Sequence, residues 1–318
     1  MEAEAENIRE ITMDIESSIG EKVIGSRRTV RFMLISLLTN NHILMESVPG
    51  LAKTMLASEF SKHLGVQFKR IQFTPDMLPS DVTGNMVFNP ETRKLEFREG
   101  PVFSNIVLAD EINRTPPKVQ SALLEAMEER QVSVYGLTTK LPSPFLVIAT
   151  QNPIEQEGTF PIAEALMDRF LFRYYLDYPD RDNEVKILKT IYSNSLQEYN
   201  KLDATSIMHY RDLVSRVYVN EEIIEYIISI IRKTRESDMV FVGASTRTAV
   251  KYLNAARANA LLSGRNYVIP EDVIFMAREI LNHRLILRPE ALMDSDTDYK
   301  KVIYNVIDSI INSVEAPQ

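Results

Sequence analysis

A strand, a glycine-containing loop, a helix and a second strand follow one another near the start of the chain, within the roughly thirty residues that one βαβ unit occupies. HILME at 42–46 is short and apolar, as a buried strand is, and TMLASEFSKHLG at 54–65 has helical spacing and ends at a glycine. VQFKRIQF at 66–73 alternates like a further strand. Because a βαβ unit places its strands parallel, the chain is constrained to begin as an α/β fold.

Three later segments extend the same kind of sheet. IVLA, FLVIA and LFRYYL have the pattern of strands at 106–109, 145–149 and 171–176, and a helix is predicted at 116–130. The first part of the chain is therefore predicted to be α/β with a largely parallel sheet. Two hairpins are also expected, MVFNPETRKLEF at 86–97 and VSVYGLTTKL at 132–141.

Strand signals nearly vanish after residue 178, and amphipathic helical patterns replace them. We therefore predict two domains, an α/β core at 1–178 and a smaller, all-helical domain at 179–318. The helices expected in the second domain lie at about 182–198, 205–217, 221–235, 245–262, 271–283 and 299–314.

Composition narrows the class of protein. The chain has 318 residues with 36 basic and 44 acidic side chains, a net charge of −8, and no cysteine. An acidic balance disfavours nucleic-acid binding, which depends on neutralising phosphates, and the lack of cysteine excludes disulfides and thiolate metal sites. The apolar runs are too short to span a bilayer, and the first residues are acidic where a targeting presequence is basic. We expect a cytoplasmic protein without membrane insertion.

The loop between the first strand and its helix has the composition of a phosphate-binding loop. SVPGLAKT at 47–54 ends in Lys-Thr where the helix begins. In such a loop the backbone N–H groups cradle phosphates, Lys53 neutralises their charge and the Thr54 hydroxyl binds Mg²⁺. Ser47 and Ala52 stand where the strict pattern has glycine. For this loop alone, a surface Lys-Thr that opens an ordinary helix is therefore the alternative.

A second strand supplies two carboxylates downstream of that loop. IVLADE at 106–111 is an apolar strand that ends in Asp110 and Glu111. Open parallel sheets bind ligands beyond the carboxyl ends of their strands, so we expect these side chains beside the phosphate loop. Asp110 is suited to hold Mg²⁺ through water, and Glu111 to orient and polarise an attacking water. The alternative is a solvated acidic turn after a core strand.

A third strand end and two arginines complete the candidates. FLVIAT at 145–150 runs into Gln-Asn-Pro, which sets the Asn152 amide beside the other strand ends. That amide can hold the nucleophilic water or the γ-phosphate, although Asn-Pro is also an ordinary turn signal. Arg169 and Arg173 flank the start of the last strand. They are either structural ion-pair partners of Asp168 and its neighbours or groups that reach a neighbouring subunit's γ-phosphate.

Together these motifs resemble the MoxR family of AAA+ ATPases, over nearly the whole chain. They are long and collinear, which makes them far more specific than a single loop match. The motifs are GLAKT at 50–54, FTPDMLPSDVTG at 73–84, EGPVFSNIVLADEINRTPPKVQSALLEAMEE at 99–129, ATQNPIEQEGTFPIAEALMDRFLF at 149–172 and GASTRT at 243–248.

The resemblance implies a fold, cofactors and residue roles. The fold would be a P-loop AAA+ core with a parallel sheet flanked by helices, followed by a helical lid, and the cofactors would be ATP or ADP and Mg²⁺. Glu111 would be catalytic, with Asn152 as sensor 1. Arg169 would be an arginine finger acting in trans, and Arg247 would be sensor 2 acting in cis. The nucleotide would be bound by Val48, Pro49, Gly50, Leu51, Ala52, Lys53, Thr54, Met55 and Asp110, of which Thr54 and Asp110 would also hold the metal.

The resemblance also implies partners. Members of the family are thought to act as hexameric, chaperone-like remodellers that mature or activate protein complexes, often with a von Willebrand factor A domain partner. Segments 74–99 and 132–141 match the helix 2 insert and the hairpin before sensor 1, which would face the central pore. Two alternatives stay open, a nucleic-acid or metal-chelatase type motor subunit and a nucleotide-gated scaffold without turnover. The acidic charge disfavours nucleic acid, and Glu111 disfavours the scaffold because a scaffold needs no residue that activates water.

Overall fold

In the computed structural model the chain forms two compact units. The first, which we name the sheet unit, is residues 11–208, and the second, the helical unit, is residues 1–10 together with 209–318. The domain boundary expected between residues 178 and 179 stays a prediction. The structure describes residues 1–48, 50–153, 158–190, 202–292 and 298–317.

Helices and strands alternate through the first two thirds of the chain. A short 3-10 helix at Ile112–Arg114 follows the fifth strand. The elements are, in chain order, α1 (Glu2–Lys22), α2 (Arg27–Leu38), β1 (His42–Ser47), α3 (Lys53–His63), β2 (Phe68–Gln72), α4 (Pro79–Thr83), β3 (Gly84–Asn89), β4 (Lys94–Glu99), β5 (Ile106–Asp110), α5 (Pro117–Glu129), β6 (Gln131–Val134), β7 (Leu137–Lys140), β8 (Leu146–Gln151), α6 (Glu164–Met167), β9 (Phe170–Leu176), α7 (Arg181–Thr190) and α8 (Ala204–Val214).

Five of these strands form a parallel sheet in the order β2-β5-β8-β1-β9. Every residue of β1 and β5 is buried, as continuous apolar runs predict for a sheet covered on both faces. The register pairs Ala109 of β5 with Ala149 of β8, and Met45 of β1 with Thr150 of β8. The carboxyl ends of β5, β8 and β1 therefore lie side by side, with β8 in the middle.

Helices pack on this sheet through the apolar sides that their sequence periods predict. Phe32 of α2 packs against Phe172 of β9, with ring centroids 4.6 Å apart. Val119 and Leu123 of α5 are fully buried in a cluster with Val107 of β5. The predicted α/β class with a parallel sheet flanked by helices is confirmed.

Two antiparallel hairpins, β3–β4 and β6–β7, occupy the segments where the sequence predicts them. Tyr135 and Gly136 turn the second hairpin with φ of 50° and 80°, the left-handed geometry of a two-residue hairpin turn. The first hairpin begins at a glycine for a steric reason. A Cβ on Gly84 would lie 2.2 Å from the carbonyl oxygen of Arg98, so a side chain there would push the two strands apart.

Helices dominate the helical unit, as predicted. After residue 214 the elements are α9 (Glu221–Glu236), β10 (Val240–Val242), α10 (Thr246–Leu262), α11 (Pro270–Leu281), β11 (Ile286–Leu287) and α12 (Tyr299–Asn312), with a 3-10 helix at Pro289–Leu292. β10 and β11 form an antiparallel ribbon that the sequence did not indicate, because strands of three and two residues are too short to show alternation. The unit is thus mainly rather than entirely helical. The predicted helix end at residue 198 lies outside the described residues.

Buried polar contacts join the helices of this unit. Tyr252 of α10 is fully buried, and its hydroxyl donates to the carbonyl oxygen of Val273 in α11 at 2.7 Å.

Within the part of the chain that the structure describes, no helix has the length and apolar character needed to cross a membrane.

Candidate functional site

The loop between β1 and α3 (residues 48–52, named the Lys53 loop) turns through two residues with positive φ. Gly50 has φ of 90° and Ala52 has φ of 49°. Ala52 is the N-cap of α3 and its side chain makes no capping hydrogen bond. Lys53 is half-buried, and its Nζ lies 3.5 Å from the carbonyl oxygen of Val48. The ammonium group of Lys53 and the N terminus of α3 thus both border the loop, a combination that favours anions.

The other predicted residues of this segment differ in exposure. Thr54 and Met55, in the first turn of α3, are exposed, and Leu51 is half-buried. Pro49 lies outside the described residues. The Thr54 hydroxyl is therefore accessible to a ligand at the start of α3.

Asp110, the last residue of β5, is held through both of its carboxylate oxygens. The residue is 7% exposed. Oδ1 accepts a hydrogen bond from the Thr150 hydroxyl at 2.5 Å. Oδ2 accepts from Nε and Nη2 of Arg70 at 3.0 Å and 2.6 Å. These partners satisfy a buried carboxylate, fix its orientation and balance its charge.

Glu111 follows Asp110 in a left-handed turn, with φ of 58° and ψ of 50°. Its backbone N–H donates to Thr150 Oγ1 at 2.9 Å, and its Oε2 lies 3.1 Å from Nε of Arg114. The side chain is half-buried. A non-glycine residue in this backbone region is strained, and such residues concentrate at functional sites where the surrounding contacts hold them.

Asn152 follows β8 and is 5% exposed. Its backbone carbonyl oxygen accepts a hydrogen bond from Nδ2 of Asn113 at 3.4 Å. Asn113 belongs to the 3-10 helix that follows Glu111, so this contact ties together the segments after β5 and β8. The fold therefore brings Asp110, Glu111 and Asn152 to one edge of the sheet.

Both arginines near the start of β9 form ion pairs within the sheet unit. Nη2 of Arg169 lies 2.9 Å from Oε1 of Glu128, in the last turn of α5. Nε of Arg173 donates to Oε2 of Glu46 at 2.6 Å, and Glu46 is 5% exposed. The structure thus gives each arginine a carboxylate partner in its own chain, and these partners lie in α5 and β1 rather than in the segment around Asp168 that the sequence suggested. The role of Arg169 toward a neighbouring subunit stays a prediction.

Arg247 is the predicted site residue that lies in the helical unit. It is the second residue of α10 and is exposed. Ser245 caps this helix, because its Oγ accepts a hydrogen bond from the Thr248 backbone N–H at 3.3 Å. The motif GASTRT is thus the start of a helix, as predicted.

Thr150 and Arg70 are site residues that sequence reasoning missed. Thr150 follows the apolar run of β8, and its role becomes visible only when the register of two parallel strands places it beside Asp110. Arg70 is a charged residue in an alternating strand, where an outward, solvated side chain is the default expectation. Both residues lie near the end of a strand, which the sequence shows. Their contact with Asp110 could be recognised only once β2 and β8 were known to pair with β5.

α3 is anchored to α1 away from the Lys53 loop. Glu59, 5% exposed, accepts hydrogen bonds from Nζ of Lys22 at 2.6 Å and from Nζ of Lys62 at 2.7 Å. Burial by itself raises the pKa of Glu59, but the two ammonium groups outweigh it and lower the pKa to about 2. The carboxylate is therefore charged at neutral pH and holds α3 in place.

The available oxygen donors fit a magnesium ion that is shared with phosphates. Mg²⁺ usually takes one or two protein ligands and completes its shell with substrate phosphates and water. Asp110 supplies a carboxylate and Thr54 an exposed hydroxyl. In the described ranges, no group of three or more His, Cys, Asp or Glu residues is placed to hold a metal ion.

Two family models match the chain. The model for the ATPase family associated with various cellular activities (AAA) matches residues 42–172, and the model for the AAA lid domain matches residues 232–302. Together with the parallel sheet and the Lys53 loop, these matches show that the protein is an AAA ATPase, with an AAA core domain followed by an AAA lid domain.

Known proteins are similar over most of the chain. The uncharacterized protein YeaC of Bacillus subtilis is 46% identical over 281 residues, 86% of each chain. Chaperone MoxR1 of Mycobacterium tuberculosis is 39% identical over 305 residues, 93% of this chain and 80% of its own. The crystal structure of a candidate ATPase from Cytophaga hutchinsonii is 39% identical with a TM-score of 0.88, over 100% of this chain and 98% of that one. The chain belongs to the MoxR family of AAA+ ATPases.

Proposed function

We propose that this protein hydrolyses ATP to ADP and phosphate in a magnesium-dependent reaction at the carboxyl ends of β1, β5 and β8. The observation that carries the proposal is the hydrogen-bonded connection from Asp110 through Thr150 to Glu111. It joins the end of β5 to β8, and β8 is the neighbour of β1, the strand that leads into the Lys53 loop. A buried carboxylate for the metal and a second carboxylate for water, at one sheet edge, are what phosphoryl transfer to water requires. Family membership supports ATPase activity in general.

The residues of the site would divide the chemistry. Lys53 and the amides of its loop would bind the phosphates. Thr54 and Asp110 would hold Mg²⁺, which supplies charge neutralisation at the phosphate oxygens when bound. Glu111 would orient the attacking water and take up its proton, and Asn152 would hold that water or the γ-phosphate.

We further propose that the protein works as a hexameric ring. Arg169 would complete the site of a neighbouring subunit as an arginine finger, and Arg247 would act on the nucleotide of its own chain. An arginine finger in trans makes hydrolysis depend on assembly, because no single subunit then contains a complete site.

The work done by hydrolysis would be the rearrangement of a protein client, such as a von Willebrand factor A domain protein. Phe88 in β3 is 57% exposed and Tyr135 in the β6–β7 turn is 86% exposed, and large exposed apolar groups suit contact with a protein. The name Chaperone MoxR1 describes a relative, and its similarity supports a chaperone-like role here.

The absence of cysteine is compatible with the cytoplasmic location that forms part of the proposal.

A nucleic-acid or metal-chelatase type motor is the second candidate function. Arg93 and Lys94 lie at the β3–β4 turn, where a basic pair favours contact with phosphates. The net charge of −8 opposes this reading. The third candidate function is a scaffold that binds nucleotide without turnover. Glu111 disfavours it, because a scaffold needs no residue that activates water.

Phosphate release at several protein concentrations, with and without DNA, separates these functions. If the protein is an assembly-dependent ATPase, its specific activity should rise with protein concentration and should not change when DNA is added. The Lys53→Ala variant should release no phosphate at any concentration. Stimulation by DNA would instead favour the nucleic-acid motor. Nucleotide binding without turnover at every concentration would favour the scaffold and contradict the proposed hydrolysis.

A further inference from the structure

Thr150 connects the two carboxylate residues of the site through one hydroxyl group. The residue is 1% exposed. The register pairs Ala109 with Ala149, so Thr150 lies beside Asp110 at the neighbouring strand end. Thr150 Oγ1 is 2.5 Å from Asp110 Oδ1 and 2.9 Å from the backbone nitrogen of Glu111.

The direction of both hydrogen bonds follows from the chemistry of the groups. The Glu111 N–H can only donate, so Thr150 Oγ1 accepts from it. The single hydroxyl hydrogen is then available to Asp110, whose carboxylate accepts it. A side chain of the same shape without the hydroxyl, such as valine, can form neither bond.

We infer that Thr150 is a positioning residue for hydrolysis, which orients the Asp110 carboxylate toward the metal and holds the left-handed turn that carries Glu111. The inference rests on the proposed function. Glu111 has φ of 58°, and a strained turn of this kind keeps its geometry only where surrounding contacts fix it. Thr150 contacts the backbone of Glu111 and not its carboxylate, so it acts through Glu111 rather than on the substrate.

A second contact makes the role of Thr150 separable from folding. Asp110 Oδ2 is held independently by Arg70, through Nε at 3.0 Å and Nη2 at 2.6 Å. Loss of the Thr150 hydroxyl therefore leaves the buried charge of Asp110 paired. We expect Thr150→Val to fold and to lose the orientation of the site.

The test compares Thr150→Val with Thr150→Ser, which keeps the hydroxyl. Thr12→Val is the matched control, because Thr12 is fully buried and its Oγ1 has no hydrogen-bond partner. For each variant we would measure kcat, the Kd of a fluorescent nucleotide with Mg²⁺ and with EDTA, and the thermal unfolding midpoint. If Thr150→Val does not fold, Thr150→Ala carries the same comparison. Glu111→Gln serves as the reference for the proposed hydrolysis.

We expect kcat of Thr150→Val to fall about 10- to 100-fold, the usual effect of removing a group that orients a metal ligand. The gain in nucleotide affinity on adding Mg²⁺ should shrink, while the affinity in EDTA stays near that of the parent. Thr150→Ser should keep most of the parent's kcat, and Thr12→Val all of it.

Two results would overturn the inference. One is a parent-like kcat and Mg²⁺ response in Thr150→Val. The other is an equal loss of kcat, EDTA affinity and unfolding midpoint in Thr150→Val and Thr150→Ser, which would mark a packing role only. A parent enzyme that is inactive, or as active as Glu111→Gln, would instead refute the proposed hydrolysis itself.

Discussion

Arg169 and Glu128 form an ion pair within one chain, with Nη2 of the arginine 2.9 Å from Oε1 of the glutamate. Glu128 is exposed and Arg169 is half-buried, so the pair stays open to solvent on the glutamate side; ion pairs that are exposed on both sides contribute only about 0 to 1 kcal/mol to the free energy of unfolding. The contact therefore costs little to break. An Arg169 that serves a neighbouring subunit is compatible with this pair in the single chain, because assembly needs to supply only a slightly better partner.

Arg169→Ala should lower the ATPase rate by about 10³- to 10⁵-fold, the range measured for arginine fingers, with nucleotide affinity nearly unchanged. Glu128→Gln is the control, because it removes the same ion pair and leaves the guanidinium available. We expect that control to keep the parent's unfolding midpoint within a few degrees and to remain active. Phosphate release at saturating ATP measures the effect. Equal losses in both variants would show that the pair is structural.

Mixed assemblies distinguish action in trans from action in cis. Arg169→Ala and Lys53→Ala subunits are each expected to be inactive alone. Mixed together they should regenerate some activity, because a site can combine Lys53 of one chain with Arg169 of the next. Absence of recovered activity, in mixtures shown to co-assemble, would leave Arg169 as a partner of its own subunit.

Ser47→Gly should change nucleotide affinity by no more than about threefold, which is under about 1 kcal/mol. Ser47 is the last residue of β1 and has an extended backbone that any residue adopts, whereas the positive φ in the loop falls on Gly50 and Ala52. Its Oγ is buried without a hydrogen-bond partner, so the substitution removes no hydrogen bond. Titration with a fluorescent nucleotide measures the affinity. A gain of roughly a hundredfold would show that Ser47 impairs the loop and would favour the scaffold.

Glu59 should make the stability of the protein depend on pH in the acid range. The pKa of Glu59 in the folded chain is about 2, below its usual 4.5, so its stabilising effect is complete above about pH 5 and is lost as the pH falls toward 2. Glu59→Gln removes this effect, which is worth about 3 kcal/mol at most. The difference in unfolding free energy between parent and Glu59→Gln should therefore shrink from pH 5 to pH 2.

Glu10→Gln provides the comparison for that measurement, since Glu10 is exposed on α1. Denaturant unfolding at several pH values should show no comparable trend for this control. A constant difference between parent and Glu59→Gln across the range would contradict the assignment of the low pKa.

The sheet and most helices could be predicted because their patterns are local. The strand at 106–109 is a continuous apolar run, and α9 and α10 carry long amphipathic repeats. The β10–β11 ribbon could not be predicted, because its strands are too short and its pairing joins residues far apart in sequence. The class of fold thus follows from periodicity, whereas pairing between distant short segments does not.

In the candidate site, too, features that depend on local sequence could be predicted, and features that depend on the pairing of distant segments could not. The positions of Asp110 and Glu111 at a strand end could be predicted, because a parallel sheet gathers the carboxyl ends of its strands. The bonds from Thr150 and Arg70 to Asp110 could not be predicted, because they depend on strand order and register. The pairing of Arg169 with Glu128 likewise depends on how α5 packs near α6.

Lys53 and Glu111 should separate nucleotide binding from turnover. Lys53 supplies charge to the phosphates, so Lys53→Ala should bind nucleotide weakly or not at all. Glu111 organises the water and contacts no phosphate in this account, so Glu111→Gln should bind ATP as the parent does. Fluorescent-nucleotide titration of both variants in Mg²⁺ provides the comparison.

The most direct test of hydrolysis at this site is the rate of phosphate release by Glu111→Gln and the parent, measured side by side at protein concentrations where the parent is assembled and at ATP concentrations that saturate both. We predict a parent that turns over and a variant whose rate falls by about 100-fold or more at unchanged ATP affinity, since general-base groups typically contribute about 10²- to 10⁴-fold. A Glu111→Gln variant that releases phosphate as fast as the parent would contradict the account.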